Sequence, residues 1–344
     1  MRAETAHPES TYPRMLLELM RQCGVRTSPL EFITEVSNAY HEIVAPHYDV
    51  LHREIVTRVT PLIQEFGSLI AAWFAGRTLR VLDVGCGTGF ASQALLQNRE
   101  LSISYLVCSD ISPHMLDVCR AKLNGRSHVR FVQGDIEFLS REFPPFDVIM
   151  TCSVIHHLPV LSSFFARLKN LLVPGGAYMM LHEPSRRFYE NPECLHLLQE
   201  YQDYTRLRAK LRYFNPLRYL RKAIRLFTRS SGLCLESKTS ELLVERKLIS
   251  RSLTKGQVRQ LVDIHVPPIH SDRFHIGSQG FDVGRLAVQY LAGFSLTRFR
   301  SYGFLGTEFE EVAAKSWQAR ARRLARLYPD DGAQFGALWR REKQ

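Results

Sequence analysis

Apolar side chains recur at helical spacing in two early stretches, MLLELM (15–20) and VLHREIVTRVTPLIQEFGSLIAAWF (50–74), so residues 14–75 read as helices. The pattern then changes. LRVLDV (79–84) is a short, continuous apolar run that ends in glycines, as a strand buried on both faces would. Three further runs follow: SYLVCSD (104–110), VRFVQGD (129–135) and FDVIMTC (146–152). A fifth, AYMMLHE (177–183), comes after the turn Pro174-Gly175-Gly176. Helical segments separate the runs. Strands alternating with helices predict an α/β chain with a Rossmann-like, doubly wound, mostly parallel sheet.

Residues 186–270 break this rhythm, being polar, basic, helical in pattern and too long for an ordinary crossover. A helix, GFDVGRLAVQYL (280–291), and a strand, FSLTRFRSYGF (294–304), then resume the core pattern, and EEVAAKSWQARARRLARLY (310–328) reads as an amphipathic helix. The expected organisation is an N-terminal helical cap (1–75), a core (76–185 with 271–305), an inserted helical lobe (186–270) and a C-terminal helical tail (306–344). No internal repeat stands out.

Composition adds limits. With 45% hydrophobic and 23% charged residues among 344, the chain has ordinary globular proportions, which excludes disorder as the main reading. No run of about 18 apolar residues is present, so no membrane span is expected. MRAETAHPES carries no apolar leader segment, and the seven cysteines (23, 86, 108, 119, 152, 194 and 234) include no C-x-x-C. A reduced, cytoplasmic protein is the expectation. The net charge of +11 is local: residues 186–270 carry 17 basic against 8 acidic side chains. A general nucleic-acid binder more often spreads its basic stripe over the core, which argues against that class.

The strongest motif is Asp83-Val84-Gly85-Cys86-Gly87-Thr88-Gly89, between a strand and a helix. Glycines let backbone turn tightly and approach a ligand. A dinucleotide loop wants a small residue at 90, where Phe90 stands, and no G-K-[ST] follows for a P-loop. Acids close the second and third strands, Asp110 and Asp135. A carboxylate at the first position suits the vicinal hydroxyls of a ribose. Asp135 with Ile136 suits an adenine.

Together these pieces (VLDVGCGTGF, LVCSDIS, VQGDIEFL, FDVIMTCSVIHHL and LLVPGGAYMMLHE) resemble the class I S-adenosylmethionine-dependent methyltransferase family, over residues 79–182 and again over about 280–305. The resemblance implies S-adenosyl-L-methionine as cofactor. Gly85, Cys86, Gly87, Thr88 and Gly89 would meet its methionine and ribose parts, Asp110 with Ile111 the ribose, and Asp135 and Ile136 the adenine. Met115 would pack on the adenine ring, and Asp83 would align the loop or meet the amino group. Cys152, at the end of the fourth run, is also placed at the cofactor. A lid helix is implied near Tyr40 and Tyr48, with Tyr48 closing over the cofactor, although both tyrosines also suit plain helix packing.

Methyl transfer from a sulfonium mainly needs alignment, and a base only where the nucleophile carries a proton. His156 and His157 follow the fourth strand; the His-Leu pair at 157–158 matches small-molecule members of the family, so His157 is the expected base, and His156 is placed beside the cofactor. Glu183 is a further candidate, for a substrate amine or as base. His265, His270 and His275 stand five apart beside Asp263 and Asp272; such steps share no helix face, and no metal is expected. The function expected is methylation of a small-molecule acceptor in specialised metabolism, the acceptor being free, anionic or tethered to a carrier protein. In the lobe, Arg218, Arg221, Lys222, Arg225 and Arg229 cluster on one helical face: a solvated lid surface, a dock for an acidic carrier protein or phosphate-bearing substrate, or a membrane-surface contact. Two other uses of the same loops stay open: cyclisation of the cofactor's aminobutyrate arm with release of methylthioadenosine, and methylation of protein or RNA.

Overall fold

The computed structural model describes residues 14–213, 235–265, 280–306, 310 and 313–343. The chain divides into two units, residues 1–184 with 235–300 and 335–344, and residues 185–234 with 301–334.

Helices α1 (Arg14–Gln22), α2 (Pro29–Val44) and α3 (Arg53–Phe74) precede the sheet. Strands β1 (Thr78–Val84), β2 (Ser102–Asp110), β3 (Val129–Gln133), β4 (Phe146–Cys152) and β5 (Leu172–Pro184) then alternate with α4 (Phe90–Leu96), α5 (Pro113–Lys122), α6 (Ile136–Glu142) and α7 (Leu161–Leu171). The remaining helices are α8 (Arg186–Glu190), α9 (Pro192–Tyr213), α10 (Leu235–Glu245), α11 (Lys255–Val262), α12 (Val283–Tyr290) and α13 (Lys315–Leu327). Strands β6 (Phe294–Tyr302) and β7 (Gln334–Arg341) complete a seven-stranded sheet ordered β3-β2-β1-β4-β5-β7-β6. β1 is parallel to β2 and β4, β2 to β3, and β4 to β5. The sheet is therefore the expected Rossmann-like one. Strand order reverses at β1 and β4, and ligands of such sheets bind in the crevice beyond the strand ends at that point.

The first unit is held by buried apolar runs. Leu82, Val107, Ile149, Tyr178 and Trp339 meet in the sheet core. Beside it, α2 lays Phe32, Ile33 and Val36 against Leu243 and Leu261 of α10 and α11. Ser28 starts α2, its hydroxyl accepting from the Glu31 amide at 3.3 Å. The second unit has its own core of Phe188, Leu197, Tyr201, Phe304 and Leu324.

Three features differ from the sequence reading. β5 begins at Leu172 and runs through Pro174-Gly175-Gly176, with Gly175 at φ 78° inside it. The segment 186–270 is not one lobe: α10 and α11 pack on α2 in the first unit, because Leu243, Val258 and Leu261 find their apolar partners there. The tail is not wholly helical: residues 334–341 form β7, with Phe335, Ala337, Leu338 and Trp339 buried. The signal for that strand was present, since the turn residues Pro329-Asp330-Asp331-Gly332 precede it. Residues 214–234, which hold all five residues of the basic helical face, lie outside the described residues. Among the described residues no helix is long and apolar enough to cross a membrane.

Candidate active site at the carboxyl ends of β1, β2, β4 and β5

The glycine loop leaves β1 with three left-handed residues: Gly85, Gly87 and Gly89 have φ of 67°, 52° and 78°. They differ in what surrounds them. A Cβ on Gly85 would stand 2.6 Å from Val154, and one on Gly89 2.5 Å from the Cys119 sulfur. A Cβ on Gly87 would meet nothing within 4 Å, so this glycine faces open space. Asp110, at the end of β2, fixes the loop: one carboxylate oxygen accepts from the Gly87 amide and the other from the Ser112 amide, both at 2.8 Å. Burial raises the Asp110 pKa above the usual carboxylate value.

Asp83 is fully buried in β1. One of its oxygens accepts from the Ser92 hydroxyl at 2.6 Å, and the other has no hydrogen-bond partner. Burial pushes its pKa well up. A buried acceptor without a donor is costly, and a ligand that donates there would satisfy it. Asp135 caps α6, accepting from the Phe138 amide at 2.9 Å, and is itself exposed beside the buried Ile136. Ile111 is 40% exposed beside Asp110. Met115 lies deeper than the sequence implied: it is buried against Val44 and Ala45, with Tyr40 and Tyr48 alongside. Tyr48 is half-buried and its ring lies 4.5 Å from that of His52, tilted by 43°, and burial raises its pKa, as it raises that of Tyr40 to about 12.

Sequence reasoning did not find the tie between this segment and the loop. Asp49 accepts from the Thr88 hydroxyl and from Lys122, each at 2.5 Å, and Lys122 also reaches Thr88 at 3.1 Å. Nothing in the spacing of Asp49, Thr88 and Lys122 announces that contact.

The second half of the site lies where β4 and β5 end. Ser153 and His182 are both left-handed, at φ 61° and 56°, and the Ser153 amide bonds the Leu181 carbonyl beside His182 at 2.8 Å. Two such non-glycine residues on neighbouring strand ends store backbone strain, which concentrates at functional sites. Glu183 organises the turn that follows β4. Its carboxylate is fully buried and accepts from the amides of Val154, Ile155 and His156 at 3.0, 2.9 and 3.1 Å. The same carboxylate accepts from Nδ1 of His156 at 2.9 Å. Glu183 is thus neither an exposed acid nor set out to meet a substrate amine; it holds the histidine turn.

Because a carboxylate or carbonyl only accepts, the ring protons are assigned by their partners. His156 donates from Nδ1 to Glu183, leaving Nε2 as its second nitrogen. His157 donates from Nδ1 to the Val262 carbonyl at 2.7 Å and keeps a lone pair on Nε2. His41 donates from Nδ1 to the Ser37 carbonyl at 2.9 Å. The three rings are neighbours: His156 and His157 are 4.0 Å apart, His157 and His41 5.6 Å. Burial alone would lower the His156 pKa, but the Glu183 charge outweighs it and the pKa rises. Burial and the adjacent imidazoles hold His157 well below the ordinary histidine value, so it is neutral near pH 7. Asp263, just past α11, lies 3.5 Å from His157, and burial raises its pKa. His265 bonds the Leu158 carbonyl at 2.9 Å; His270, Asp272 and His275 lie outside the described residues. Cys152, half-buried at the end of β4, has its thiol pushed up by burial and by the charges of Asp83 and Glu183.

The family model described as "Methyltransferase domain" matches residues 82–178, the stretch that carries the glycine loop, Asp110, Asp135 and the histidine turn. Residues 82–178 are a class I S-adenosylmethionine-dependent methyltransferase domain. The chain is 33% identical over 113 residues to a malonyl-[acyl-carrier protein] O-methyltransferase of Halalkalibacterium halodurans, covering 32% of this chain and 41% of that protein. It is 38% identical over 114 residues to a trans-aconitate 2-methyltransferase of Methylobacterium nodulans, covering 31% and 42%. Among solved structures, an amino pentose methyltransferase of Micromonospora echinaspora is similar at 24% identity, with a TM-score of 0.32, over 39% of this chain and 54% of that one. The chain thus spans about two fifths of the length of the curated relatives it matches.

The domain implies S-adenosylmethionine, and the residues present fit it. The unpartnered Asp83 oxygen suits a donor such as an ammonium group, the open side of Gly87 admits close approach, and Asp110 keeps lone pairs for hydroxyl groups.

Proposed function

We propose that the chain is a cytoplasmic S-adenosylmethionine-dependent methyltransferase of specialised metabolism, acting on a small-molecule acceptor. The carrying observation is that the glycine loop, pinned by Asp110, and the histidine turn, pinned by Glu183, stand at neighbouring strand ends of a methyltransferase domain. Asp83, Gly85 to Gly89, Asp110, Ile111, Asp135 and Ile136 hold the cofactor, with Met115, Cys152 and Tyr48 bordering it. The bound cofactor supplies an electrophilic methyl group. This chain aligns an oxygen, nitrogen or carbon nucleophile beside His156 and His157. His157, neutral and with its lone pair fixed on Nε2, accepts the nucleophile's proton.

The acceptor is free or tethered to a carrier protein. The carrier-protein substrate in the name of one relative, and the 17 basic side chains of residues 186–270, support an acidic or anionic partner.

The test is product identification. Incubation of the full chain with S-adenosylmethionine and an acceptor mixture should yield S-adenosylhomocysteine. Release of methylthioadenosine would instead establish cyclisation of the aminobutyrate arm. Absence of cofactor binding by calorimetry would overturn both.

A further inference from the structure

We infer that the exposed face of α13, with the hollow between it and α9, is a docking surface for an acidic carrier protein. The first observation is charge. α13 reads KSWQARARRLARL, with five basic side chains and no acid in 13 residues. Elsewhere in the second unit cations and acids are matched: Arg186 pairs with Glu190, Arg187 with Asp331, Arg206 with Asp203, and on α13 itself Arg320 with Glu200. Lys315, Arg322, Arg323 and Arg326 differ. All four are exposed, and none has an ion-pair partner among the described residues. Arg322 reaches an uncharged oxygen, that of the Gln318 side chain, at 3.4 Å. At the helical repeat the four fall on one stripe about 100° wide, turned away from the buried Ala321 and Leu324. Like charges three and four residues apart, as in Arg323–Arg326 and Arg322–Arg326, oppose helix formation. An acidic surface brought against the stripe would offset that repulsion.

The second observation is apolar. A hollow of about 390 Å³ lies between α9 and α13, lined by Pro192, Leu197 and Leu324 and bordered by the exposed His196, Arg320 and Arg323. Glu193, an acid in its lining, already accepts from the Tyr328 hydroxyl at 2.5 Å. An apolar recess beside arginines is how protein interfaces are built, with a buried anchor inside a polar rim. The same region suits other anionic surfaces less well. Faces that bind single-stranded RNA stack bases on exposed aromatic rings. Here Trp317 packs with Tyr201 and Tyr204, its ring centroid 5.3 Å from each. A helix lying on a membrane puts its apolar face into lipid. α13 instead buries Ala321 and Leu324 in the core of the second unit.

That the partner is a carrier rests on the tethered-acceptor reading above; that it is an acidic protein rests on this surface. The two fail separately. Docking without formation of S-adenosylhomocysteine would leave the surface standing and remove methyl transfer. Methylation of a free acceptor without docking would do the reverse.

The experiment titrates the full chain by calorimetry, at low salt and without S-adenosylmethionine. The probe is a purified acyl carrier protein of net negative charge that bears its phosphopantetheine arm but no acceptor. Binding in the micromolar range is expected, weakening by about fivefold or more as ionic strength rises to ~0.3 M. Reversing Arg322, Arg323 and Arg326 together to Glu should weaken it by about tenfold or more. His196→Glu, beside the hollow, should weaken it by a few-fold. The control reverses three exposed arginines of the first unit, Arg99, Arg126 and Arg285, to Glu. It changes net charge equally and should leave affinity within about twofold. Should the α13 triple variant fail to fold, Arg323→Glu alone carries the comparison. Absence of binding, equal losses in the two triple variants, or tighter binding of a single-stranded RNA or of anionic lipid vesicles than of the carrier protein would each overturn the assignment.

Discussion

At the scale of single residues, the glycine loop separates two demands that its sequence makes look alike. Gly87 and Gly89 both have left-handed φ, which an L side chain adopts at a cost of about 1–2 kcal/mol. Of these two, Gly89 also lies against another side chain, with the Cys119 sulfur 2.5 Å from where a Cβ would be. Gly89→Ala should therefore lower stability by the strain plus about 1–3 kcal/mol of overpacking. Gly87→Ala should stay nearer the strain alone but weaken S-adenosylmethionine binding, because its methyl enters the open side. Urea unfolding with calorimetry on both variants checks the contrast; equal stability losses would contradict it. Asp110→Ala removes the acceptor for the Gly87 amide, and each lost charged hydrogen bond to the cofactor should cost about 1.5–3 kcal/mol of affinity. Unchanged affinity would remove Asp110 from the site.

His182 gives a pH dependence at the same scale. Burial lowers its pKa to about 3. The unfolded chain binds this proton near the ordinary value of about 6.5, and the folded chain does not until about 3. Between those values the unfolded state holds more protons, so the His182 contribution makes stability fall as pH drops from about 6.5 and level off near 3. His182→Asn keeps a residue that tolerates the left-handed φ of 56° and removes the titration. Urea midpoints measured from pH 7 to pH 4 should fall less steeply in the variant. Parallel curves would mean that His182 is not protected in the folded state.

At the scale of elements, what the sequence revealed and what it hid follow from range. β1 to β4 were legible because each is a local apolar run: β1 is followed by the glycine loop, β2 ends in Asp110, and β4 is followed by the histidine turn, all at the face where ligands bind. β7 was hidden because a short run after a long polar helix looks like a tail, although the turn at 329–332 marks it. The Glu183 contacts were hidden for a different reason: the carboxylate bonds a turn 27 to 29 residues earlier, and no spacing encodes that distance. The same holds for α10 and α11. Their apolar positions are plain, but that these meet Phe32 and Val36 of α2 rather than a separate lobe is a tertiary fact. Phe32 is 1% exposed in that contact. Phe32→Ala should cost about 3–5 kcal/mol in urea unfolding. A loss below about 1 kcal/mol would mean that α10 and α11 do not dock there.

At the scale of the whole molecule, charge is the property that local structure does not use up. Residues 186–270 carry 17 basic and 8 acidic side chains, and Arg218, Lys222 and Arg225, outside the described residues, can share one face of a helix. Such a patch accelerates encounter with an acidic partner, and salt screens the effect over a length of about 10 Å at 0.1 M. Reversing Arg218, Lys222 and Arg225 to Glu should leave S-adenosylmethionine affinity unchanged, because the glycine loop, Asp83 and Asp110 owe their contacts to β1, β2 and α4. With a carrier-tethered or phosphorylated acceptor, kcat/KM should fall at low ionic strength, mainly through slower association. Raising salt should bring wild type and variant together. With a small neutral acceptor the two should coincide at every salt concentration. The deciding measurement is kcat/KM against ionic strength for both proteins on the acceptor found by product analysis. Curves that run parallel on a tethered acceptor would show the basic face to be a solvated surface, and the methyl-transfer reading would then rest on a free small molecule.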